Sequence, residues 1–428
     1  MSKKLIGNGF IYLFTNIFNA AIPFLLLPIL TRVLTPEDYG LVTMFTLSVS
    51  ILGTFIGLSV HGAISVKYFQ ISEEELSEYV ASSLLILIVS CLLVLFIVWN
   101  VDFVSDYTLL PKTWLIIACF TAMSQFIVNI KLALWQVKKE AIKFALFKIS
   151  LTLLNATLSV FFLFFLLKSW ESRTLGISVS ISLFSIIALL YLYLNGNLTI
   201  RIKQKHLLEI LRFGVPLLPH AVGAFAISMV DRLIVANILG DKSVGVYMVG
   251  LQVAMVMAIL SDAFSKVYSP WLYEKLKEKT ELAYLMITSS TYIICLFFSM
   301  MIFPVYFVLK FLLPYIVGSE FYSADELIIW FVIGNAFTGM YHAIAGLYFF
   351  TGRTGLLSMV TLFSGTLSIL LTYYMVLRWG IIGGAISFAI SNAFMFLSAL
   401  FVSSFIIKLP WCKYYSMFVF FKVNIIKR

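Results

Sequence analysis

Asp231 and Arg232 stand side by side in an otherwise apolar stretch, and Lys131 stands alone in another. A charged side chain at mid-membrane costs about 2.5–3.5 kcal/mol on insertion scales, so functional use is the default reading of such a residue. Neighbours on a helix point about 100° apart, so Asp231 and Arg232 are not expected simply to neutralise each other. At least one should face a water-filled cavity or a charge on another helix; a structural ion pair between helices is the alternative. Lys131 either contacts substrate or snorkels to the near surface. Arg32, in the polar turn after the first apolar run, is a candidate phosphate contact at an outer exit or else a helix cap. Asp262 and Lys266 are spaced i, i+4 with the acid first, the order that favours a salt bridge.

Neutral polar groups extend this set. Asn16 and Asn19 share one face of the first run, and Asn335 and His342 lie two turns apart in the tenth. His342 is a candidate proton carrier near neutral pH or a packing histidine. The basic stretch VKKEAIKF suits lipid headgroups and equally serves as a topology signal. The chain has no phosphate-cradling glycine loop, no metal-spaced His/Cys cluster and no acidic pair beside a large loop. It therefore reads as a non-enzyme with no catalytic residue, no metal and no cofactor. Any energy would come from a proton or sodium gradient, with Asp231 and His342 as coupling groups, or from consumption of the product.

These groups must be held by membrane helices. Of 428 residues, 61% are hydrophobic and only 12% charged, half of what a soluble surface needs. The apolar runs reach the roughly 20 residues that cross a bilayer. Spans are expected near 9–30, 41–63, 80–99, 113–134, 145–167 and 174–194, then near 214–238, 245–268, 283–306, 326–349, 356–377 and 381–405. Lys3 and Lys4 ahead of the run from Phe10 to Leu30 resemble a signal peptide, but the length and the lack of a small-residue cleavage pattern make it an uncleaved first span.

The net charge of +10 is scattered in short clusters between runs, which argues against nucleic acid. With the N-terminus inside, cytoplasmic segments hold about three times as many Lys and Arg as outer ones, a strong orientation signal. Lys148 counts with the cytoplasmic group and Arg173 with the outer group. Twelve spans return the C-terminus to the cytoplasm. Cys91, Cys119, Cys295 and Cys412 show no paired spacing.

Offsetting the sequence by 205 residues pairs Gly9 with Gly214, Leu13 with Leu218, Ile22 with Ile227, Ile29 with Ile234, Leu34 with Leu239 and Gly40 with Gly245. In both copies an apolar span ends in a short turn and restarts at glycine: TRVLTPEDYG and ANILGDKSVG. Six spans separate the copies, so the repeat is parallel. The expected fold is all-α integral membrane, with residues 1–205 and 206–405 as six-helix lobes and 406–428 as a basic cytoplasmic tail. Pro23 and Pro28 in the first span, and Pro216 and Pro219 in the seventh, predict a broken helix at the start of each lobe. Ordinary kinking is the alternative.

The stretch RFGVPLLPHAVGAFAISMVDRLIVANILGDKSVGVYMVGLQVA (212–254) resembles the opening of the second lobe in Wzx-type polysaccharide flippases of the multidrug/oligosaccharidyl-lipid/polysaccharide superfamily. LPILTRVLTPEDYGLVTMF (27–45), QVKKEAIKFALFKI (136–149) and AFSKVYSPWLYEKL (263–276) are similar to further segments of that family. The resemblance implies a MATE-like fold and a flippase that moves an undecaprenyl-pyrophosphate-linked oligosaccharide across a bacterial inner membrane for O-antigen or capsule synthesis. It implies membrane lipids, a polysaccharide polymerase and a chain-length regulator as partners. It implies a cationic central cavity, with Arg232 and Lys131 on the phosphates and Arg32, Asn16, Asn19 and Asn335 as further substrate contacts. Only two basic residues fall firmly within spans, fewer than that pattern suggests. A drug or metabolite exporter of the same superfamily is the main alternative. A polymerase or other membrane enzyme is a lesser one, opposed by the lack of a large outer loop.

Overall fold

The computed structural model describes residues 3–411, so most of the basic tail, Cys412 included, lies outside the described residues. Helices dominate the described residues, as a lipid-embedded backbone requires, because only intra-segment hydrogen bonds can satisfy its amides there. They are α1 (Lys3–Val33), α2 (Pro36–Gly57), α3 (Val60–Lys67), α4 (Glu73–Asn100), α5 (Phe103–Thr108), α6 (Lys112–Val137) and α7 (Ala141–Phe165). There follow α8 (Trp170–Leu194), α9 (Gln204–Gly214), α10 (Leu218–Leu239), α11 (Asp241–Glu278), α12 (Glu281–Ile316), α13 (Asp325–Thr351) and α14 (Thr354–Ile406).

Ten of the described helices are long and apolar enough to cross a bilayer, and the bent pair Gln204–Gly223 and Ser228–Leu239 supplies an eleventh span. The twelfth is folded into α14. Its 53 residues are interrupted at Gly380, whose φ of 61° and ψ of −144° only glycine adopts readily. The hydroxyls of Thr372 and Ser387 on either side lie 2.7 Å apart. Fifteen residues of unbroken helix would separate them by about 22 Å. The two arms therefore run antiparallel, matching the two last spans read from sequence.

Two expectations about breaks need correction. α1 runs as one helix through Pro23 and Pro28, so the first span is not broken. The seventh is: Gln204–Gly223, which includes a 3₁₀ turn at Val215–Leu217 containing Pro216, is bent by 56° from Ser228–Leu239. A further break falls where none was expected, between α2 and α3, at Leu58 and Ser59, both with positive φ.

The described chain forms two compact units. One holds the residues up to Met229 together with Gly240–Gly245; the other holds Val230–Leu239 and the residues from Val246 onward. Within the first, α2 opens on a capping box. Thr35 Oγ1 accepts from the Asp38 amide at 3.1 Å, and Asp38 Oδ2 accepts from the Thr35 amide at 3.3 Å. Asp38 Oδ1 also accepts from the Trp170 amide at 3.1 Å, which fixes the start of α8 against the start of α2. At the opposite helix ends, Lys67 pairs with Glu209 at 2.8 Å and Lys203 with Glu78 at 2.5 Å, tying α9 and the loop before it to α3 and α4. The Glu78 carboxylate, hydrogen-bonded to Lys203, raises that ammonium above its ordinary pKa.

Candidate functional site

α7 carries Lys148, Thr152, Asn155 and Ser159 at i, i+4, i+7 and i+11, one stripe of an otherwise apolar helix. That stripe spans about 16 Å of helix axis. Each member has a partner on α1 or α8, the helices packed against α7. Lys148 Nζ donates to Asn16 Oδ1 at 3.1 Å, and the Thr152 hydroxyl donates to Asn19 Oδ1. Asn19 Nδ2 is held in turn by the Thr15 carbonyl at 2.7 Å. Arg173, in the first turn of α8, donates to Asn155 Oδ1 at 2.7 Å and to the Ser159 hydroxyl. The two helices approach closely here because residue 176 is glycine: a Cβ on it would lie 2.7 Å from Ser159 Cα.

Neither Lys148 nor Arg173 has a carboxylate within ion-pair distance among the described residues: Lys148 has Asn16 and the face of the Phe144 ring, 5.5 Å from its ammonium, and Arg173 has Asn155 and Ser159. An uncompensated cation in a span is costly, and such residues mark polar pathways. A lysine ammonium has three donors, and Asn16 takes one from Lys148. Two cations interleaved with three asparagine amides suit a ligand that combines anionic oxygens with many hydroxyls.

The structure joins Asn16 and Asn19 in this stripe and places the other expected residues elsewhere. Lys131, only 2% exposed, is neither snorkelling nor facing the stripe. Its ammonium lies 4.9 Å from the Trp135 ring centre and 5.9 Å from that of Tyr191, and 3.5 Å from the Tyr191 carbonyl oxygen. That is an aromatic cage in which cation–π attraction stands in for a carboxylate. Arg32 is exposed and donates to the Pro28 carbonyl at 2.9 Å, a capping geometry. Asn335 bridges helices: its side chain donates to the Ala254 carbonyl at 3.3 Å, and its backbone carbonyl accepts from the Ser261 hydroxyl at 3.2 Å. His342, half-buried on α13, sets its ring 5.9 Å from that of Tyr341.

Asp231 and Arg232 do pair with each other, at 3.0 Å, contrary to the argument from their directions. Cα–Cβ vectors about 100° apart do not prevent contact when one side chain is as long as arginine's. Tyr247 donates to the other Asp231 oxygen at 2.7 Å, and Arg232 Nε lies 3.3 Å from Met248 Sδ, so the pair is clamped to α11. Arg232 is thus compensated where Lys148 and Arg173 are not. Asp231→Ala is expected to destabilise the protein by about 3–5 kcal/mol, because it strands a half-buried arginine. Tyr247→Phe, which removes one hydrogen bond, should cost about 1 kcal/mol. Thermal unfolding in detergent, followed by intrinsic fluorescence, orders the two variants.

Sequence reading missed Lys148, Thr152, Asn155 and Arg173. The stripe spacing in KISLTLLNATLS was the available signal, and it needed only a face count rather than a search for charges. Among the described residues no group of His, Cys, Asp and Glu is placed to hold a metal ion.

The helical architecture is that of a multi-pass membrane protein. It superposes on the lipid II flippase MurJ in its inward closed conformation with a TM-score of 0.63, at 15% identity, covering 99% of this chain and 93% of that one. An inward-facing multidrug resistance MATE family transporter of the MOP superfamily gives 0.62, at 16% identity, over 92% and 96%. The curated relative "Lsg locus putative protein 1" of Haemophilus influenzae is 26% identical over 374 residues, 84% of this chain and 88% of that protein. Residues 5–276 match the polysaccharide biosynthesis protein family, and the chain belongs to that family. The family match includes residues 212–254, and the fold is shared with a flippase and with a MATE transporter.

Proposed function

We propose that the protein moves an undecaprenyl-pyrophosphate-linked oligosaccharide repeat unit from the cytoplasmic to the outer leaflet of a bacterial inner membrane by alternating access. The observation that carries this reading is the stripe of Lys148 and Arg173, two cations without carboxylates set among Asn16, Asn19 and Asn155. Cations answer the pyrophosphate and amides answer sugar hydroxyls. Membership of a polysaccharide biosynthesis family supports the class of cargo. The product would pass to a polymerase and chain-length regulator for O-antigen or capsule assembly. Lys131 contributes positive potential from its cage, and Arg32 and Asn335 act as positioning groups at helix ends and packing seams. The positive-inside bias supports cytoplasmic termini; moving Lys148 and Arg173 into helices removes one residue from each side of that count and leaves the bias intact.

Deleting the gene tests the reading. The expected result is lipid-linked oligosaccharide trapped in the inner leaflet with loss of surface polysaccharide. Intact polysaccharide without such accumulation would rule the function out. Proton or sodium coupling through Asp231 and His342 is a separate part of the proposal. Flipping in proteoliposomes at the same rate with and without an imposed gradient would overturn it.

A further inference from the structure

A second site lies outside the polar stripe. A cleft of about 410 Å³ opens among the ends of α6, α7 and α8, within the volume range of about 300–1,000 Å³ typical of small-molecule sites. Its polarity is graded. At one end stand Lys143, in the first turn of α7, and Asn195, which follows the last residue of α8. One to three turns deeper the walls are Leu146, Ile187 and Phe184. Leu146 is 63% exposed and Ile187 37%, so the cleft opens sideways toward the acyl chains instead of closing into the protein.

The floor is aromatic and positively biased. Trp135 and Tyr191 line the cleft, with ring centres 5.6 Å apart, and their rings cage the Lys131 ammonium. Beside the mouth, the turn between α6 and α7 adds Lys138 and Lys139 to Lys143, three cations against two acids, Glu73 and Glu140, of which Glu140 pairs with Lys143 at 3.0 Å. Glu73 lies 3.8 Å from Lys138. A cationic, hydrogen-bonding mouth above an apolar groove is the negative image of an anionic lipid standing in its leaflet. Juxtamembrane lysines attract such headgroups.

We propose that this cleft binds an anionic phospholipid of the leaflet on the Lys143 side, with the phosphate against Lys143 and Asn195 and an acyl chain along Leu146, Ile187 and Phe184. The site is separate from the α1–α7–α8 stripe and does not depend on the cargo assigned to it. The neutral lipid of the same chain length should bind poorly, because only the groove would recognise it.

The test uses the full chain purified in neutral detergent. Thermal stability is measured against added phosphatidylglycerol, phosphatidylcholine of matched acyl chains, and undecaprenyl phosphate. Phosphatidylglycerol should raise the unfolding temperature saturably and phosphatidylcholine should not. Lys143→Gln should weaken the phosphatidylglycerol effect about fivefold, the worth of one lysine near an anionic surface. Ile187→Trp, which fills the groove and leaves the mouth charge unchanged, should abolish it. Equal responses to the two phospholipids, or a full response in both variants, would overturn the proposal. So would a response to undecaprenyl phosphate alone, which would assign the cleft to the cargo lipid.

Discussion

Alanine at Gly245, or at Gly40, should lower the unfolding temperature by several degrees and abolish complementation of a deletion strain. In an ordinary helix the same exchange stabilises by about 1 kcal/mol, because alanine is the better helix former. Here the sign reverses. A Cβ on Gly245 would overlap the carbonyl oxygen of Pro36, and one on Gly40 would overlap the carbonyl oxygen of Asp241. Both obstacles are backbone, so no rotamer change relieves them, and the first turns of α2 and α11 must part. Overpacking costs about 1–3 kcal/mol even where side chains can yield.

The four residues obey the repeat. Offset by 205, Pro36 corresponds to Asp241 and Gly40 to Gly245, so each glycine touches the counterpart of the residue that faces the other. Glu37 and Lys242, also equivalent positions, form an ion pair at 3.8 Å. The contact is self-complementary in the way a two-fold interface is. Because both substitutions act on one crossing, the double variant should be less damaging than the sum of the singles. Gly355→Ala, where an added Cβ meets nothing within 4 Å, serves as the control and should be neutral or stabilising. A wild-type melting temperature in Gly245→Ala would show that the two turns are not held at this distance.

The repeat was visible before the structure because it rests on glycines, whose chance coincidence is rarer than that of leucines. Spans were visible for a related reason: hydrocarbon thickness imposes about 20 apolar residues whatever the tertiary contacts. Facing was harder to read. Charge counting assigned Lys148 and Arg173 to the nearest loops, yet α7 begins at Ala141 and α8 at Trp170, each four residues earlier than expected. That shift carries Lys148 two turns into its helix and Arg173 inside the first turn of the next. Asp231 and Arg232 were conspicuous as adjacent opposite charges, and adjacency is what lets them cancel. Lys131 looked like a contact because lysine in a span is rare; the aromatic cage that accommodates it comes from Trp135 and Tyr191, which lie 56 residues apart in the chain.

Under the proposed function, Lys148→Gln should slow flipping of the lipid-linked oligosaccharide by about 10- to 150-fold while leaving the unfolding temperature unchanged or higher. A hydrogen bond to a charged group contributes about 1.5–3 kcal/mol, and each 1.4 kcal/mol is about tenfold. Glutamine still donates to Asn16 Oδ1, so the seam between α1 and α7 survives, and removing an uncompensated cation from a span relieves its insertion cost. Opposite signs for transport and stability separate a ligand contact from a structural one, since a structural lysine would lose both together. Lys148→Arg should retain most of the rate because the charge persists. Arg173→Gln should behave like Lys148→Gln, with Asn155 still bonded, and the double variant should be inactive yet folded. The decisive measurement is initial flipping rate in proteoliposomes beside a melting curve on the same preparation. Wild-type flipping by the double variant would sink the assignment of this stripe to the pyrophosphate, whatever the cargo proves to be.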